Sequence, residues 1–111
     1  MTRLDKLFSF LESQPNDAFL LFAIAKEYES AGDDANALDY YQKLQATTPQ
    51  YVGLYYHLGK LFERKSDPQN ALETYKIGIE VAQKERDFHA LSELKGAKMN
   101  LDGGDDDDDD Y

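Results

Sequence analysis

Apolar residues recur along most of this chain with the spacing of an amphipathic helix rather than the alternation of a strand. Leu4, Leu7, Phe8 and Leu11 share one stripe and predict a helix over residues 2–14. Thr2 with Asp5 three places on makes a capping-box start, and Pro15 stops the helix. Asn16-Asp17 offers side-chain oxygens to the free N–H groups of a second helix, about residues 17–31, which Gly32 ends. That helix carries two stripes: Leu21, Ile24, Ala25 and Tyr28 on one, and Phe19, Phe22, Ala23, Lys26 and Ser30 on the other. A helix apolar on more than one side packs through one face and must cover or use the second. A third helix, capped by Asp33 or Asp34, runs to about Thr47 with Ala37, Leu38, Tyr41 and Leu44 inward.

The pattern then repeats. A step of 34 residues takes Phe22 to Tyr56, Lys26 to Lys60, Tyr28 to Phe62, Asp33 to Asp67, Asn36 to Asn70, Ala37 to Ala71 and Tyr41 to Tyr75. Self-similarity at such a period marks a repeat architecture, in which each unit buries its face against its neighbours. The second copy predicts a helix over about 50–65, then Asp67-Pro68 as cap and first turn of a helix reaching about residue 84. That helix buries Ala71, Leu72, Tyr75, Ile79 and Ala82. A closing helix over 86–100 is expected to turn Phe88, Leu91, Leu94 and Leu101 inward. The fold class is therefore all-α.

The repeat resembles a tetratricopeptide repeat, two antiparallel helices in 34 residues. The signature positions read Leu21, Ile24-Ala25, Tyr28, Ala37, Tyr41, Leu44 and Pro49 in the first unit. In the second they read Tyr55, Leu58-Gly59, Phe62, Ala71, Tyr75 and Gly78, with Gln83 where proline is usual. Small residues at Ala25, Gly59, Ala37 and Ala71 let helix backbones approach while the aromatic rings fill the space alongside. Leu44 is larger than the family's usual residue, and the missing second proline suggests that the array ends there. The resemblance implies a short right-handed solenoid, one domain over 1–101, with repeats at 16–49 and 50–84 and a flanking helix at each end. Pro15 lies 34 residues before Pro49, so the first helix takes the place of half a unit, with Leu7 and Phe10 at core positions and Arg3 where the family has alanine.

Leading helices in this family line a concave groove that holds a partner segment. Carried over by position, the groove is Phe19, Phe22, Ala23, Lys26 and Ser30, then Tyr56, His57, Lys60 and Arg64. The second stripe of the helix over 17–31 agrees with this choice. Its rings would supply apolar contact and Lys26, Lys60 and Arg64 would attract carboxylates or phosphates. The competing expectation is that flanking helices fold over the groove and make Phe19 and Phe22 ordinary core. Some relatives grip a partner's C-terminal carboxylate with a lysine followed by an asparagine; the matching positions here hold Phe22 and Lys26, so that clamp is absent.

Composition narrows the remainder. The net charge is −10, but Asp102 and Asp105–Asp110 supply seven of the 22 acidic residues. Residues 102–111 are expected to be a disordered acidic tail serving solubility, weak Ca²⁺ or Mg²⁺ capture, or autoinhibition of the groove. Acidity argues against nucleic acid. With no cysteine, two histidines outside any catalytic motif and no phosphate loop, neither catalysis nor a cofactor or metal site is expected. No apolar run approaches the length of a membrane span, and acids interrupt the N-terminal apolar residues, so a cytoplasmic protein is expected. The functional expectation is a protein-binding adaptor, monomeric or weakly dimeric. The alternative is a self-associating module that pairs through its terminal helices.

Overall fold

A computed structural model describes residues 1–103, and those residues form six helices and no strand. The helices are α1 (Arg3–Ser13), α2 (Ala18–Ser30), α3 (Asp34–Thr47), α4 (Gly53–Arg64), α5 (Pro68–Glu85) and α6 (Phe88–Asp102). They fall into two compact units, Met1–Leu54 and the residues from Tyr55 on.

Local chemistry sets most of the helix starts. The Thr2 hydroxyl accepts from the Asp5 N–H at 3.0 Å, and the Thr2 N–H donates to the Asp5 carboxylate at 3.2 Å. Asp17 receives the Leu20 N–H at 3.0 Å. Asp33 and Asp67 each receive two bonds from the asparagine three residues on, backbone N–H at 3.2 Å and side-chain amide at 2.7 Å. Helix ends repeat too. Gly32 sits at φ 78° between α2 and α3, and the Asp33 N–H returns to the Tyr28 carbonyl at 2.9 Å. One repeat later Ser66 takes the same left-handed conformation, φ 60°, and the Asp67 N–H returns to the Phe62 carbonyl at 2.9 Å. These are Schellman closures, which satisfy carbonyls left over at a helix end.

In the first unit, α1 packs on α2 and α2 on α3. Leu21, Ile24, Ala25, Ala37, Tyr41, Leu44 and Leu54 are fully buried, with Leu7 and Leu20 nearly so. Rings of Phe8, Tyr28 and Tyr40 meet at 5.9–6.4 Å between centroids. In the second unit, Tyr55, Leu58, Leu61, Ala71, Tyr75, Ala82, Leu94 and Ala97 form the core. Gly59 and Gly78 allow α4 and α5 to close on each other. A methyl group at Gly59 would fall inside the Tyr75 ring, and one at Gly78 would lie 2.6 Å from the Tyr55 Cβ.

Several expectations are corrected. Phe10 is 59% exposed and Phe88 62% exposed, not inward. Phe88 lies a third of a turn or more from Leu94 and Ala97, the buried residues of α6, and Phe10 lies on the flank of Leu7 away from Leu4, Phe8 and Leu11. Leu38, Leu72, Ile79, Leu91 and Leu101 are only half-buried. The fourth helix starts at Gly53 rather than residue 50, because Thr48 to Leu54 runs through turns closed by the Tyr51 N–H to Thr48 and the Leu54 N–H to Tyr51. Arg86 does not open the last helix: it closes α5 at φ 60°, and Asp87 caps α6 by accepting from the Ala90 N–H. Asp102 lies in α6, paired with Lys98 at 3.1 Å, so it does not belong to the expected tail. The run Asp105–Asp110 lies outside the described residues.

Candidate functional site

In the first unit all five expected groove residues come together. Phe19, Phe22, Ala23, Lys26 and Ser30 line one open depression of about 300 Å³, with Arg3 and Glu27 completing it. Because they stand at i, i+3, i+4, i+7 and i+11 on α2, they share one side of it. Phe19 is 65% exposed, so α1 leaves it uncovered. Its neighbours are partly committed to packing, so the second stripe is partly covered and partly open. The Phe22 ring lies 6.2 Å from Tyr41 and 5.2 Å from Tyr51, and Ala23 is buried. Burial of Tyr51, followed by the charge of Asp17, raises its hydroxyl pKa.

Arg3 was legible only as an atypical residue; here its Nε meets Glu27 Oε2 at 2.8 Å. This bond joins α1 to α2, so no spacing along the chain announces it. Lys26 places its ammonium over the Phe22 ring, 5.7 Å from the centroid, and meets no carboxylate among the described residues.

In the second unit the other four expected residues share α4. Tyr56, His57 and Lys60 are half-buried and Arg64 is exposed. Lys60 stands over the Tyr56 ring at 5.6 Å, repeating the Lys26–Phe22 pair one period on. The His57 ring meets Tyr56 edge-on at 5.8 Å. Lys60 also approaches Glu63 at 3.9 Å.

Sequence reasoning missed a second repeated device. The Tyr41 hydroxyl donates to Glu29 at 2.5 Å and the Tyr75 hydroxyl to Glu63 at 2.5 Å, so a buried tyrosine of each trailing helix fixes a carboxylate of its leading helix. The 34-residue step that aligned the lysines also aligns Glu29 with Glu63 and was the available signal. Burial first, and the bond to Glu63 second, push the Tyr75 hydroxyl pKa well above its ordinary value. No group of three or more potential metal ligands occurs among the described residues. No helix among them is long and apolar enough to cross a membrane.

The crystal structure of a tetratricopeptide repeat domain protein from Salinibacter ruber is 43% identical to this chain. The match covers 80% of this chain and 100% of that one, with a TM-score of 0.76. The chain belongs to the tetratricopeptide repeat family. A solution structure of that Salinibacter domain gives 40% identity over 87% of this chain and 98% of the other, with a TM-score of 0.77. A Bordetella parapertussis protein shares the tetratricopeptide fold at 22% identity, TM-score 0.80, covering 95% of this chain and 91% of its own. No family profile matches the chain, and neither does any curated protein. Tetratricopeptide domains are commonly protein–protein interaction modules.

Proposed function

We infer that the chain is a non-catalytic adaptor that holds a segment of another protein against its leading-helix faces. In the first unit that face is Phe19, Phe22, Ala23, Lys26 and Ser30 on α2. In the second it is Tyr56, His57, Lys60 and Arg64 on α4. One observation carries the reading: a large aromatic ring, Phe19, stands mostly exposed at the edge of a depression that also holds a lysine with no carboxylate partner. Aromatic residues are enriched in protein interfaces. The repeated lysine-over-ring pairs on α2 and α4 support extending the reading to both leading helices.

The test is capture from cell extract by the wild-type chain and by a Lys26→Glu, Lys60→Glu variant whose helicity is first matched by circular dichroism. A protein retained by wild type and lost by the variant is the expected result. Equal retention by both would move binding off these faces.

A further inference from the structure

The chemistry of the depression on α2 narrows what it can hold. Lys26 is half-buried, and its only partner among the described residues is the face of Phe22. A ring face satisfies a cation less well than a carboxylate does, so this ammonium has electrostatic capacity to spare. Arg3 is paired with Glu27 at 2.8 Å, and that carboxylate offsets its charge. The depression therefore offers one available positive charge and one uncovered phenyl ring, Phe19.

Their separation sets a ruler. Phe19 and Lys26 are two helical turns apart, about 10 Å along the axis at 1.5 Å per residue. A polyproline II segment covers that span in about three residues at 3.1 Å each, and its three residues per turn bring side chains three apart back to one side. A depression of about 300 Å³ suits a pair of side chains on an extended segment. We propose that α2 recognises an extended acidic–apolar segment of a partner, in which a large apolar side chain packs on Phe19 and a carboxylate three residues away meets Lys26. The inference rests on the proposed binding role of this face and adds the partner's chemistry. It differs from capture of a terminal carboxylate by a lysine–asparagine pair, since one internal aspartate or glutamate suffices.

Selection from a randomised displayed-peptide library against the folded full chain tests it. The expected result is enrichment of Asp or Glu three positions from Leu, Phe, Tyr or Trp. Replacing that acid by its amide in a synthetic copy should weaken binding about tenfold, as loss of a charge-assisted contact does. Selection against Lys26→Glu should exchange the enriched acid for Lys or Arg. Enriched peptides that lack the acid, but lose binding with Phe19→Ala, would overturn the inference and leave the binding face standing. Unchanged acid enrichment with Lys26→Glu would overturn it as well. No enrichment at all would count against both the inference and the face. The synthetic segment Gly104–Tyr111, which carries Asp108 three residues before Tyr111, should bind wild type and not Lys26→Glu. Its equal binding to both would contradict the role given to Lys26.

Discussion

Phe19 and Phe22 separate binding from stability within one turn of helix. Phe19 is mostly exposed, whereas Phe22 packs on Tyr41 and Tyr51. Phe19→Ala should therefore change unfolding stability by no more than about 0.5 kcal/mol. Phe22→Ala should cost about 2–3 kcal/mol, short of the full range for a wholly buried ring. Chemical denaturation followed by circular dichroism measures both; equal losses would mean that Phe19 is core. At Ser66, a side chain occupies the left-handed conformation that Gly32 fills one repeat earlier. Ser66→Gly should raise stability by about 1 kcal/mol, the penalty an L-residue pays there, and a lower denaturation midpoint would refute that. Tyr75 gives a pH signature. Its folded pKa lies above the ordinary 10.0, so the folded state keeps a proton that the unfolded chain has lost above that pH. This contribution is whole below pH 10 and drains away as pH rises further. Tyr75→Phe, which keeps the ring and removes the titration, should lose less stability than wild type between pH 9.5 and 11.

Helix–helix contact explains which parts of the elements could be read from sequence. The caps at Thr2, Asp17, Asp33 and Asp67 were legible because a cap and its N–H partner lie three residues apart. The two repeats were legible because Tyr41 and Tyr75 do the same packing work at the same step. Phe10 and Phe88 were misread because hydrophobicity alone does not say which side of a helix has a neighbour. The five groove residues on α2 were readable as a stripe, but the Arg3–Glu27 bridge and the tyrosine–glutamate bonds join different helices. The two glycines tested by packing differ for the same reason. Gly59→Ala drives a methyl into Tyr75 and should cost about 1–3 kcal/mol. Gly96→Ala meets nothing within 4 Å on α6 and should stabilise by about 0.5–1 kcal/mol, the helix-propensity gain. Thermal melts of the two variants should shift in opposite directions.

At the scale of the molecule, a short repeat protein has few interior residues, and much of its leading-helix surface is left to do something other than hold the fold. Phe19 and Lys26 are the residues where that surplus is clearest, one exposed and the other without a carboxylate. The most direct test is a map of backbone amide chemical shifts of the full chain, titrated with a peptide selected for binding. Shifts should concentrate on the outward faces of the leading helices, foremost around Phe19, Phe22, Lys26 and Ser30. Shifts confined to α3, α5 or α6, with α2 unmoved, would contradict binding there.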